Sequence, residues 1–199
     1  MTTVISEFEP LLRSVEEGVD WSRFQASAHP DRDKIISLLH EACLVESFLP
    51  AYIGKVMDLF WDDLYATSIY TIESYEAFRH FHLLKKYLDI EASFPVTEQE
   101  VIELRAVERK QVYDDPIKEL LNFLGTELFA ARFFSDILTM TDEPLLQSLL
   151  PGFIQEETTH AEMAFRILQR KIEADSGMIQ AVLERARSFQ HIGEYAYPK

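Results

Sequence analysis

Glu157 and His160 lie three residues apart in the stretch Gln155-Glu156-Glu157-Thr158-Thr159-His160-Ala161-Glu162. Around them Phe153, Ile154, Ala161, Ala164, Phe165 and Leu168 recur at spacings of three and four, the mark of an amphipathic helix. On a helix that separation stacks two side chains on one face. A carboxylate and an imidazole converging from one face can ligate a metal together. The pair alone is a weak signal, because Glu is a good helix former and most such pairs are solvated surface. Other parts of the chain have to supply further ligands.

Three more apolar stretches each carry a candidate. Glu46 sits among Ile35, Ile36, Leu39, Ala42, Cys43, Val45 and Leu49, with Glu41 as a less central alternative. Glu73, Glu76 and His80 punctuate an aromatic pattern running from Phe60 and Trp61 through Tyr65, Tyr70, Phe78 and Phe81 to Tyr87. At 100° per residue, Glu73 and His80 are about 20° apart on the wheel and Glu76 and His80 about 40°. Glu127 follows Leu120, Leu121, Phe123 and Leu124, flanked by small residues. A buried unpaired carboxylate costs several kcal/mol. Four inward ones call for a common cause, and a shared metal centre supplies it. Carboxylates with imidazole suit iron or manganese. A core carboxylate satisfied by hydrogen bonds, or one at a subunit interface, is the alternative for Glu46 and Glu127.

Those four stretches imply an all-α fold and a single domain over residues 1–199. Core helices are expected at about 34–57, 58–88, 116–141 and 151–174, with shorter helices near both ends. Asp31 or Asp33 caps the first, and Pro50 kinks it. A charged, solvent-facing helix is expected from Thr97 to about Val112 inside the long connection. Asp115-Pro116 reads as a cap followed by a first-turn proline. Leu145–Leu150 reads as a separate short segment, and Pro151-Gly152 as the break that opens the fourth core helix. Phe8, Leu11, Leu12 and Val15 fit a leader helix, and Met178 to Phe189 a terminal one before the tail with His191.

Composition narrows the function. The formal net charge of −15 argues against nucleic acid or an anionic membrane as partner, since both are polyanions. The single cysteine, Cys43, excludes an internal disulfide and fits a cytoplasmic setting as a small buried hydrophobe. No signal peptide is visible, and no apolar run approaching about 18 residues was expected. His40, His82 and His191 read as surface or satisfied histidines. Lys85-Lys86 and Arg185-Ala186-Arg187 could dock an acidic carrier protein but more often form solvated faces.

The order Glu, Glu plus His, Glu, Glu-x-x-His resembles the ferritin-like four-helix bundle, whose second and third helices are joined by a crossover. Glu76-Ala77-Phe78-Arg79-His80-Phe81-His82-Leu83-Leu84-Lys85-Lys86-Tyr87-Leu88 looks like the second ligand helix of the soluble acyl-ACP desaturases, and Glu156-Glu157-Thr158-Thr159-His160 is similar to their fourth. The likeness implies a non-heme di-iron oxidase or oxygenase that activates dioxygen, and the aromatic residues along the helices point to an apolar, aromatic or acyl substrate. Glu46, Glu73 or Glu76, His80, Glu127, Glu157 and His160 would hold two irons, manganese or a mixed pair. Dioxygen, an electron donor or carrier protein, and a homodimer partner would go with it. One position departs: the family places Glu three residues before the second-helix His, and here stands Ala77. Glu73 with His80 is the favoured pair and Glu76 the substitute. A Glu seven residues before a His also resembles the ligand helix of the heme-oxygenase-like di-iron oxidases. Their last helix usually offers a His four residues before its carboxylate, where this chain has Phe153. Ala77 also supports a non-catalytic alternative: a ferritin-like or heme-oxygenase-like helical protein with a partial or lost site, acting in metal handling or partner binding.

Overall fold

A computed structural model describes residues 15–108 and 112–189 of the chain. The leader positions Phe8, Leu11 and Leu12, the charged residues Arg109 and Lys110, and the tail with His191 lie outside the described residues. Six α-helices and two 3₁₀ turns make up the rest, and no strand occurs among the described residues.

Helix α1 spans Arg32–Val56. Pro50 sits inside it and has no N–H to offer the carbonyl of Glu46, four residues back. A 3₁₀ turn, Met57–Phe60, follows. Helix α2 begins only at Leu64 and runs to Glu91, because the Asp63 carboxylate accepts from the amides of Tyr65 and Ala66. The sequence expectation of a start near residue 58 therefore missed one 3₁₀ turn. Ala92 ends α2 in the left-handed conformation, φ 63°, with its amide donating to the Leu88 carbonyl. Helix α3, Glu98–Glu108, opens with a reciprocal capping box between Thr97 and Glu100.

Helix α4, Pro116–Met140, is capped by Asp115 through the amides of Ile117 and Lys118. Helix α5 runs unbroken from Pro144 to Ala174. Leu145–Leu150 is thus its first part, and Pro151-Gly152 does not interrupt it. The reason is local: Glu143 accepts from the amides of Leu145 and Leu146 and starts the helix there. Pro151 then forfeits one backbone bond, to Gln147, while Leu145, Leu146, Leu149, Leu150 and Phe153 keep one face in the core on both sides of it. Helix α6 spans Met178–Arg187.

Short connections join α1 to α2 and α4 to α5, and each pair packs along its length. The pairs meet mainly through α2 and α5, with α3 laid on α1 and α6 on α4. Residues from all the long helices form one core, including Phe48, Tyr52, Tyr70, Leu84, Phe123, Phe134 and Phe153. Glu16 ties the leader to α2 by accepting from Trp21 and Lys86 and pairing with His82. Helix α3 was expected to carry only solvated charge. Arg105 instead donates twice to the Ser47 carbonyl on α1, close to the gap left by Pro50. Residues Arg32–Phe60 are long and apolar enough to cross a membrane by length and composition, which corrects the expectation of no such run. Most of the apolar window is buried against the other helices, so its composition answers to a core position.

A buried polar group lies at one end of this core. Glu119 accepts from the Tyr52 hydroxyl at 3.3 Å, and its carbonyl accepts from Tyr70 at 3.4 Å. Burial pushes the Glu119 carboxyl up from 4.5 to about 7, against the lowering effect of the Tyr52 bond. The unfolded chain therefore releases this proton at a lower pH than the folded one. Stability falls as pH rises from 4.5 through 7, by about 3 kcal/mol in full. Glu119→Gln keeps an acceptor for Tyr52 and removes the titration. Urea unfolding from pH 4.5 to 8 should show the variant gaining on the parent by about that amount. A difference independent of pH would mean that folded Glu119 is ionised throughout.

Candidate metal centre

Each long helix delivers its acidic group to the interior by the same means, an apolar face with one polar interruption. Glu46 on α1, Glu73 and His80 on α2, Glu127 on α4, and Glu157 and His160 on α5 are all at most 5% exposed. Helices α2 and α5 run antiparallel here, since Glu73 faces His160 and His80 faces Glu157.

Two groups of potential ligands result. Glu73, Glu127, Glu157 and His160 each bring one donor atom to within 4.8 Å of the others. Glu46, His80 and Glu157 form a second such group. Glu157 belongs to both, its Oε1 lying 3.0 Å from His80 Nδ1 and its Oε2 3.7 Å from His160 Nδ1. Around His160 Nδ1, Glu73 Oε2 lies at 2.7 Å and Glu127 Oε2 at 3.1 Å. His80 Nδ1 is 3.7 Å from Glu46 Oε1.

These atoms are close without being satisfied. Glu46 Oε2, Glu73 Oε2 and His80 Nδ1 are buried and have no partner in hydrogen-bond geometry. Buried polar atoms normally find one. Donor atoms of both residue types converging with poor mutual hydrogen bonding are what a ligand set looks like, and the carboxylate–imidazole mixture fits a hard or borderline divalent cation. Buried Glu and His groups that could hold a metal ion are therefore a property of this fold. The donors do not identify the metal.

Protonation follows from burial and crowding. Burial raises the Glu46 carboxyl to about 7, opposed by His80. Burial also raises Glu73, and it raises Glu127 well above the usual carboxylate range with help from Glu73 and Glu157. Burial works in the same direction on Glu157, yet the neighbouring His160 and His80 imidazoles hold it below the ordinary value. Both imidazoles are desolvated, which favours the neutral ring, but their carboxylate partners prevail and raise them. Protons thus offset the crowded negative charge, and a bound cation would take over that role.

An outer layer orients both rings. His160 turns Nε2 outward to Glu76 Oε2 at 2.5 Å, and His80 turns Nε2 to Glu156 Oε2 at 2.7 Å. The pattern is crossed: Glu76 and His80 lie four apart on α2, Glu156 and His160 four apart on α5, and each Glu holds the other helix's His. Arg79 grips Glu156 with bonds of 2.9 and 3.0 Å. Glu76 is thus placed behind His160 rather than in either ligand group, and Glu73 is in one. Ala77 is buried at 1% exposure and brings no donor, and the His80 group has three members against four in the His160 group. Phe153 packs on His80 with ring centroids 4.0 Å apart, with Phe134 beyond it.

Other candidates lie away from the centre. Glu41 is exposed. His40 pairs with Glu100 and His82 with Glu16. Lys85 pairs with Asp89, Lys86 with Glu16, and Arg185 with Asp115. Sequence reasoning missed the role of Glu156 and the pairing of Arg79 with it. The repeated Glu-x-x-x-His spacing in Glu76–His80 and Glu156–His160 was the available signal.

No protein-family model, curated protein or solved structure matches this chain.

Outer-layer carboxylates that fix a ligand His commonly contribute tenfold to a hundredfold in metal affinity. Glu76→Gln and Glu156→Gln should each weaken binding of a divalent cation by about that factor. Helical circular dichroism should stay unchanged. Isothermal titration of Fe(II) or Mn(II) under anaerobic conditions checks this, and unaltered affinity in both variants would remove the orienting role.

Proposed function

We propose that this protein is a non-heme di-iron oxidase or oxygenase built on a ferritin-like four-helix frame. The observation that carries this reading is the sharing of Glu157 between two buried ligand groups on four helices. One carboxylate reaching two sets of donors is the arrangement that holds two cations a few ångströms apart. Glu73, Glu127 and His160 would hold one and Glu46 and His80 the other, with Glu157 common to both. A reduced iron pair held by these residues would supply electrons to dioxygen.

The chain's own residues supply the rest. Once a cation displaces the inward protons, Glu76 and Glu156 would hold the remaining ones on the outward Nε2 atoms, so that each Nδ1 presents its lone pair inward. Phe123, Phe134 and Phe153 pack against the two imidazoles and keep bulk water from the donor atoms. Such walls favour an apolar or aromatic small molecule or an acyl chain as substrate. An electron donor completes the partners this reading requires, and Cys43, a buried free thiol, accords with a cytoplasmic setting.

A second reading has an observation of its own. Ala77 leaves the His80 group with three donors, which suits a protein that binds metal for handling without oxygen chemistry.

Anaerobic reconstitution with ferrous iron followed by elemental analysis should give about two irons per chain. Glu46→Ala should retain about one, and Glu157→Ala less than one, because only the latter residue serves both groups. Oxygen uptake on aeration supports the oxidase. Two bound irons without uptake favour metal handling, and a chain that binds none excludes both readings.

A further inference from the structure

The groove between α1 and α2 ends beside the smaller ligand group. It measures about 470 Å³, within the range of small-molecule sites, and runs from Met57 and Thr71 to Pro50 and Phe78. Helix geometry places its inner end. Side chains three or four apart are neighbours on a helix, so Pro50 adjoins Glu46 on α1. On α2 the spacing of three sets Ser74, Ala77 and His80 in one row. Glu46 and His80 belong to the three-membered group, and buried Ala77 is the residue between Ser74 on the groove and the imidazole.

Helix α1 gives up stability along this stretch. Pro50 and Gly54, one turn apart, are both poor helix residues, and both line the groove. Gly54 has no positive φ, and a Cβ at its position would meet no atom within 4 Å. Neither backbone conformation nor close packing requires this glycine. What its missing side chain leaves is space in the groove.

We propose that this groove binds the substrate of the centre, a neutral molecule with an aliphatic chain, and that the end of the chain reaches Ala77. Its role as a substrate site rests on the oxidase reading, whereas the binding itself does not. Charge and polarity select the occupant. None of the eight lining residues is charged, the nearby Arg79 is held by Glu156, and a chain of net charge −15 repels anions. The hydroxyls of Thr71, Ser74 and Tyr75 sit away from the inner end, where a polar head can bond to them. An aliphatic tail then points inward along Ile53, Pro50 and Phe78. Ala77 is in this arrangement an opening and not a lost ligand. A carboxylate there, matching Glu157 three residues before His160, would stand between the groove and His80.

Decanol, added to the metal-free full chain, is the probe. Titration followed by nuclear magnetic resonance should show saturable binding. Overhauser contacts should run from the terminal methyl of decanol to the Ala77 methyl in isotope-labelled protein. Gly54→Leu and Ser74→Leu should each weaken binding by about tenfold or more, because each puts a side chain into the groove. Leucine is a better helix former than either residue it replaces, so circular dichroism should hold. Val182→Trp, which fills a separate apolar pocket between α4, α5 and α6, should leave the affinity unchanged. Absence of saturable binding overturns the proposal. So does binding that Val182→Trp abolishes and Gly54→Leu spares, or binding without contact to Ala77. Iron content after anaerobic reconstitution is measured separately and judges the oxidase alone. A chain that takes decanol beside Ala77 but no iron keeps the groove and loses the oxidase, so the two readings fail independently.

Discussion

Four carboxyls and two imidazoles share the interior of this protein, and the rest of the structure is arranged around the cost of keeping them there. A lone buried carboxylate costs several kcal/mol, and neighbours of the same sign raise that cost. Glu127, with Glu73 and Glu157 beside it, is the clearest case. The imidazoles moderate it by retaining protons, and Glu157 stays ionised because both of them lie beside it. A cation would do the same work more directly, and the two buried groups could hold one.

Rigid supports surround that charge. Helices α2 and α5 face each other antiparallel and exchange their outer carboxylates, so neither ring can rotate without breaking a bond to the opposite helix. Arg79 fixes Glu156 in turn. Apolar contacts above and below, from Phe153 on His80 to Phe123 beside His160, keep the layer dry. Elsewhere in the core, Glu119 with Tyr52 and Tyr70 repeats the theme with a single carboxyl, which burial pushes up to about 7.

Much of the helical frame could be read in the chain because it depends on local chemistry. Asp115 followed by Pro116 defines the start of α4 through side-chain acceptance and a preset backbone angle. The apolar periodicity around Glu46, Glu127 and Glu157 marks which faces turn inward. Local rules misjudged other points. Pro151-Gly152 reads as a break, yet burial on both sides and the cap at Glu143 carry α5 through it. The start of α2 moved because Asp63 caps while Asp58 belongs to a 3₁₀ turn. Glu119 was not singled out, since nothing near it in sequence shows that Tyr52 and Tyr70 will close over it.

The sequence by itself determined that the chain is helical and that Glu46, Glu73, His80, Glu127, Glu157 and His160 each interrupt an apolar helical stretch. Those facts follow from periodicity and spacing along a single helix. Whether Glu73 or Glu76 joins a ligand group, and that Glu157 serves both groups, were decided only by tertiary structure. So was the crossed pairing of Glu76 with His160 and Glu156 with His80. Each depends on the register between antiparallel helices, and a shift of one residue rotates a side chain by about 100°. Packing between helices distant in sequence sets that register, and no local pattern encodes it.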